Sequence, residues 1–200
     1  MVVFYVWRYN FTRSIRGPFK MKKLALLAAL LALSVLPAQA RSWKPQGEGA
    51  AQDYSVITDM RPNNDMVQVM WLTWPMNAKD SAIMRPLLDR YVILGLSHAQ
   101  LDSTSGKMAF RRDEDATAAD GNGTQLKVLP EANYPPTLAG VVSVFSSFVR
   151  QSLGAMGEGM RFVVFESGKV RACDKGGSLS VQYAGETYTY EAPIPGCPAS

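Results

Sequence analysis

Histidine and cysteine are scarce in this chain of 200 residues: His98 is the only histidine, and Cys173 and Cys197 are the only cysteines. A nucleophilic serine therefore has a single histidine available as its base. The segment 95–99 lacks the last glycine of the Gly-x-Ser-x-Gly nucleophile motif, which favours a histidine at the end of a strand. We therefore predict no catalytic residue from this sequence.

Metal-ligand patterns are also sparse, although one loop offers hard oxygen ligands, at Asp113, Glu114, Asp115, Asp120 and Asn122. Calcium prefers such ligands, but the glycine and the final glutamate of an EF-hand are missing from the required positions. Copper(I) prefers thioether sulfur and imidazole, yet the methionines form no Met-x-x-Met runs. We predict no metal site and no cofactor, and weak metal binding stays an alternative.

Clustered positive charge and long apolar runs are absent from the chain after residue 40. Six of the 21 lysines and arginines precede Arg41 and no acid does, so the net charge of +4 becomes about −2 without that segment. Arg111-Arg112 is the sole adjacent basic pair that remains, which argues against nucleic-acid binding. No run of about 18 apolar residues follows Arg41, so we expect no transmembrane span there.

The segment 21–40 has the three parts of a cleavable secretory signal peptide. Lys22 and Lys23 precede an apolar run that extends to Val35, and small residues, Ala38 and Ala40, occupy the cleavage-site positions. We expect a mature chain that begins at Arg41 and is periplasmic or secreted. Residues 1–20 are interpreted as a start-site extension, with a long positively charged n-region of the same signal as the alternative.

Export favours a disulfide between the two cysteines, because disulfides persist in oxidising compartments. Cys173 and Cys197 are even in number and lack the Cys-x-x-Cys spacing of redox sites. We predict a structural disulfide that closes a loop of about 25 residues near the C-terminus.

Hydrophobic periodicity predicts a flexible arm over 41–52 and a single β-rich domain over 53–200. An amphipathic helix is expected over 137–153, a proline-broken turn over 83–91, and a polar loop over 113–124. The predicted strands are 54–58, 66–74, 91–101, 107–112, 125–129, 162–165, 169–173, 179–183 and 187–190, the last four as a meander. This pattern favours an immunoglobulin-like antiparallel β-sandwich with one inserted amphipathic helix. The alternative is an α+β sheet with the helix on one face.

The predicted helix carries Ser143, Ser146 and Ser147 on a face with almost no charge, and Tyr188 and Tyr190 offer rings on the last strand. We expect one of these two surfaces to bind an envelope protein or a glycan without catalysis. A carboxylate-dependent hydrolase remains the other alternative, because its two acids need not be close in sequence.

Overall fold

The structure is a computed structural model that describes residues 41–43, 56–73, 81–194 and 197. These residues form ten strands and three α-helices. The strands are β1 (Arg41–Trp43), β2 (Val56–Arg61), β3 (Asp65–Trp71), β4 (Tyr91–Leu101), β5 (Met108–Phe110), β6 (Thr117–Asp120), β7 (Val128–Leu129), β8 (Arg161–Glu166), β9 (Leu179–Tyr183) and β10 (Glu186–Tyr190). The helices are α1 (Ser81–Arg90), α2 (Pro136–Leu153) and α3 (Ala155–Glu158).

The strands form two sheets. The larger sheet has the order β2-β3-β4-β8-β7, with β5 paired to the far end of β4, and the smaller has the order β1-β10-β9-β6. Every pairing is antiparallel except that of β1 with β10, which is parallel. The prediction of a mainly β chain with antiparallel sheets is confirmed.

Strand β4 is the centre of the larger sheet and has the bounds predicted from the sequence. Its residues from Tyr91 to Ala99 are all buried, because β4 is covered on both faces. Val92, Leu94 and Leu96 point into the core between the sheets, whereas Ile93 belongs to the cluster beneath the helices. A strand buried on both faces reads as a continuous apolar run, which explains why the prediction succeeded.

Two hydrophobic clusters hold the layers together. The inter-sheet cluster joins β3, β4 and β8 to β9 and β10, and Trp71 meets Tyr190 edge to face with ring centroids 5.6 Å apart. The second cluster lies on the opposite face of the larger sheet, where Leu138 of α2 and Leu87 of α1 pack against β4 and β8. Helix α2 therefore covers the outer face of the larger sheet.

The hairpin of β9 and β10 also agrees with the sequence analysis, since its strands meet at Ala184 and Gly185. Both residues have positive φ, at 51° and 80°, as a two-residue type I′ turn requires. Glycine adopts this conformation without steric cost.

Four local predictions differ from the structure. Helix α1 runs through Pro86 instead of breaking there, and Thr117–Asp120 forms β6 within the predicted polar loop. Residues 169–173 form turns instead of a strand, and the Val170 amide donates to the carbonyl of Ser167. Strand β8 therefore pairs with β4 and β7 of the larger sheet instead of with a strand over 169–173. Arg41–Trp43, predicted as part of a flexible arm, forms β1.

Several predictions lie outside the described residues: the start-site extension and signal peptide over 1–40, including Ala38 and Ala40, the arm over 44–52, and Trp74. Within the described ranges, no helix combines the length and apolar character needed to cross a membrane.

Candidate functional site

Helix α2 carries three of the five exposed large hydrophobic side chains in the described part of the chain, Val144, Phe148 and Leu153. Val144 is 67% exposed and Phe148 is 59% exposed, and they lie one helical turn apart on the same face. Ser143 and Ser147 are exposed beside them, while Ser146 is only partly exposed. Arg150 is the sole charged residue of this helix. We call the surface formed by Ser143, Val144, Ser147 and Phe148 the α2 outer face.

The second predicted surface is wrong, because Tyr188 and Tyr190 are both 0% exposed. The register pairs Tyr188 with Val181 and Tyr190 with Leu179, so all four side chains lie on the inner face of the smaller sheet. The outer face of that sheet is polar: Gln182 donates to the hydroxyl of Thr187 at 2.8 Å, and the hydroxyls of Ser180 and Thr189 lie 3.3 Å apart.

The hydroxyls of these two tyrosines make hydrogen bonds that connect the sheets. The Tyr190 hydroxyl donates to the carbonyl of Val69 at 2.6 Å. The Tyr188 hydroxyl donates to Asp59 Oδ2 at 3.0 Å and accepts a hydrogen bond from Arg61 Nη2 at 2.6 Å. Arg61 Nε donates to the same carboxylate oxygen at 2.9 Å.

Arg61 also extends the network beyond this buried pair. Its Nη1 donates to the carbonyl of Ala184 at 2.8 Å and lies 3.8 Å from Asp65 Oδ2. Buried ion pairs are favourable only when their remaining hydrogen-bonding capacity is satisfied. Arg61 meets that condition by binding a carboxylate, a hydroxyl and a carbonyl at once.

His98 lies between two carboxylates and is only 3% exposed. Its Nδ1 is 2.7 Å from Glu114 Oε2, and its Nε2 is 2.8 Å from Asp65 Oδ1. Glu114 belongs to the segment between β5 and β6, whereas Asp65 begins β3. We call these three residues the His98 clasp.

Tyr183 and Arg161 stand beside the clasp. The Tyr183 ring lies edge-on to the imidazole with centroids 6.5 Å apart, and the Arg161 guanidinium lies over the Tyr183 ring at 5.8 Å. Burial raises the pKa of the Tyr183 hydroxyl, the positive charge of Arg161 opposes that rise, and the negative charge of Glu114 adds to it. The polar groups at this end of the inter-sheet core therefore influence one another.

Two acidic residues of the 113–124 segment, Asp120 and Glu114, serve separate structural roles. Asp120 Oδ1 accepts hydrogen bonds from the backbone amides of Thr124 and Asn122, each at 2.9 Å, and these bonds lower the pKa of that carboxyl, with Thr124 the larger cause. Glu114 is turned toward His98. Within the described ranges, no three histidine, cysteine, aspartate or glutamate side chains are arranged to hold a metal ion.

An open cleft of about 640 Å³ lies where α1 meets β8, with Arg90, Glu166 and Arg171 among its lining residues. Arg171 Nη1 donates to the hydroxyl of Ser167 at 3.1 Å and to the carbonyl of Val170 at 2.7 Å. Glu166 accepts from Lys127 at 3.1 Å. Arg171 therefore stabilises the turn after β8, and the pair of Lys127 and Glu166 links β8 to the segment before β7.

The predicted disulfide between Cys173 and Cys197 is present, with Cα atoms 5.3 Å apart. It joins the turn region after β8 to the segment beyond β10, and the nearby Ile194 amide donates to the carbonyl of Ala172 at 2.8 Å. The bridge therefore secures Cys197 against the inter-sheet core.

Sequence reasoning missed the buried polar residues. Asp59 and Arg61 follow the predicted end of the strand 54–58, but they continue its alternation into the core side of β2. An acid and an arginine two residues apart on an otherwise apolar strand face would have indicated an interior ion pair.

Comparison with known proteins found no matching family model, no matching curated protein and no matching solved structure. The functional argument therefore rests on the geometry of this chain.

Proposed function

We propose that this chain is an exported, non-catalytic β-sandwich protein that binds an envelope protein through the α2 outer face. The observation that carries the proposal is the pair Val144 and Phe148, both more than half exposed in a helix whose sole charge is Arg150. Two apolar residues one turn apart are the usual anchors of a helix that docks into a groove.

The shape of this face also favours a protein partner. Gly140 lies one turn before Val144, and a β-carbon added there would have no atom within 4 Å, so a partner's backbone can approach closely. Sugar-binding surfaces rely on exposed aromatic rings. Phe148 is the sole aromatic residue among the strongly exposed large hydrophobic side chains of the described segments, and Tyr188 and Tyr190 lie in the core.

The geometry of the His98 clasp supports a non-catalytic role. A histidine base needs one ring nitrogen directed at the nucleophile and the other held by an orienting group. Both nitrogens of His98 face carboxylates, and the imidazole occupies the space between Asp65 and Glu114. A carboxylate-dependent hydrolase needs that space for a water or a sugar.

The disulfide between Cys173 and Cys197 supports export. Secreted and periplasmic locations are where such disulfides persist. The two facing sheets also support the finer assignment to an immunoglobulin-like sandwich.

Site-specific photo-cross-linking in intact cells tests the proposed surface. A photoreactive phenylalanine analogue is placed at position 148 and, as a matched control, at position 182 on the outer face of the smaller sheet. We expect position 148 to yield one cross-linked envelope protein, identified by mass spectrometry, and position 182 to yield none. Equal cross-linking from both positions, or a cross-link between two copies of this chain, would contradict the proposal.

A charge introduced on this face should abolish the interaction. We expect Val144→Glu with Phe148→Glu to lose the cross-linked or co-purified partner, because two carboxylates would be desolvated in the interface. Gln182→Glu adds a carboxylate elsewhere and should retain it. The intact mass of the purified protein tests export in the same samples, since a chain beginning at Arg41 is expected.

A further inference from the structure

We propose that the His98 clasp is a protonation-dependent latch that holds the segment 111–116 against β3. This inference is independent of the binding partner and of the α2 outer face. It rests on the buried position of His98, on its two carboxylate neighbours, and on the path of the chain between the sheets.

The segment 111–116 connects β5 of the larger sheet to β6 of the smaller one. At its start, the Arg111 amide donates to the carbonyl of His98 at 2.9 Å. Glu114, near its middle, contacts the His98 ring. The clasp therefore controls where this crossing segment lies.

The number of available donors makes the latch depend on a proton. A carboxylate oxygen only accepts hydrogen bonds, and a neutral imidazole has one N–H donor and one acceptor nitrogen. While both acids are ionised, Asp65 and Glu114 can both be bound only when the two ring nitrogens of His98 each carry a proton. Removing one proton brings a nitrogen lone pair against a carboxylate, so the latch is complete only while both ring nitrogens carry protons.

The surrounding charges determine which carboxylate is released. Asp65 is 18% exposed and is held from its other side by Arg61 of β2, at 3.8 Å. Glu114 is 29% exposed and makes no second hydrogen bond or ion pair within the described segments. Arg161 of β8 and Tyr183 of β9 face the same cluster, with Arg161 placed over the tyrosine ring. Because Asp65 keeps a partner, Glu114 is the group that leaves.

A single histidine makes the latch directly observable. In protein labelled with ¹⁵N, the two ring N–H signals of His98 and the backbone amide signals of 113–116 are followed by NMR as pH rises, in a preparation without a histidine tag. We expect two ring N–H signals at low pH, then the loss of one signal together with a change in the loop signals at the same pH.

Glu114→Gln is the decisive variant. Its amide can accept from a protonated ring or donate to a neutral one, so the contact no longer requires the second proton. We expect the loop signals of Glu114→Gln to stay constant as pH rises, with one ring N–H signal still lost. Loop signals that are constant in the wild type, or that change equally in both proteins, would overturn the proposal. Lys127→Gln removes the exposed ion pair between Lys127, just before β7, and Glu166 of β8. It serves as the control and should behave as wild type.

Discussion

Replacing each of the two buried tyrosines of β10 by phenylalanine compares the stability contributed by a hydrogen bond to charged groups with that contributed by hydrogen bonds to the neutral backbone. Tyr188 and Tyr190 share a strand, a face and 0% exposure, so both substitutions remove one hydroxyl and keep the ring. The Tyr188 hydroxyl contacts a carboxylate at 3.0 Å and a guanidinium at 2.6 Å, whereas the Tyr190 hydroxyl contacts uncharged backbone groups of Val69, Trp71 and Ile57.

The expected costs follow from these partners. Hydrogen bonds to charged groups contribute about 1.5–3 kcal/mol to stability, and neutral ones contribute about 1 kcal/mol. Asp59 keeps its bond to Arg61 Nε in Tyr188→Phe, so its carboxylate is not left unpaired. We therefore expect a loss of about 2–3 kcal/mol for Tyr188→Phe and about 1 kcal/mol for Tyr190→Phe.

Urea denaturation of the wild type and both variants measures these losses, provided that the dependence of unfolding free energy on urea is unchanged. The difference between the variants should persist at high salt, because buried pairs are weakly screened. A Tyr188→Phe variant as stable as Tyr190→Phe would show that the interior ion pair does not depend on the tyrosine hydroxyl.

Three further predictions concern the rest of the fold. Reducing the bridge between Cys173 and Cys197, which are 24 residues apart, should lower the unfolding free energy by about 3.5 kcal/mol, and reductant should leave a double alanine variant unchanged in urea melts. Burial raises the pKa of Tyr190 well above its usual value, so the unfolded chain loses that proton first and stability should fall as pH rises above about 10; Tyr190→Phe should weaken this decline in melts at alkaline pH. Gly140→Ala, at an open position of α2, should stabilise the protein by about 0.5–1 kcal/mol. Gly157→Ala should destabilise it by about 1–3 kcal/mol, because the new β-carbon would meet a backbone carbonyl of α2. Thermal melts that rank the two variants in the opposite order would contradict the packing argument.

Continuous or alternating apolar patterns allowed the main elements to be predicted. Strand β4 is buried on both faces, and β9 alternates between core and solvent, so local sequence alone defines them. Helix α2 has its apolar residues at three- and four-residue spacing between a proline and Gly154. In each case the burial pattern repeats within the element itself.

The remaining features depend on contacts between distant segments. Helix α1 continues through Pro86, and its Leu87 and Leu88 pack against the buried cluster that includes Ile93 and Leu138, a contact that local propensity does not show. Residues 169–173 have strand-forming composition, but the disulfide and the Arg171 contacts hold them in turns. Tertiary context commonly overrides propensity in this way.

The candidate surfaces show the same division. The low charge of the α2 outer face is visible in the sequence, whereas the exposure of Val144 and Phe148 is not, and the apolar spacing placed Phe148 wrongly on the buried face. The His98 clasp requires Asp65 and Glu114 to meet across 49 residues of chain, which only the pairing of β3 with β4 and the path after β5 bring about.

The ion pair of Asp59 and Arg61 has a consequence for how the two layers are aligned. Apolar sheet faces can slide over each other at small cost, since dispersion and hydrophobic burial have little directionality. Arg61 reaches the Ala184 carbonyl and the Tyr188 hydroxyl of the opposite layer together, and a shift of one residue would break both contacts. The charged pair thus selects a single stacking geometry from the many that apolar surfaces alone would permit.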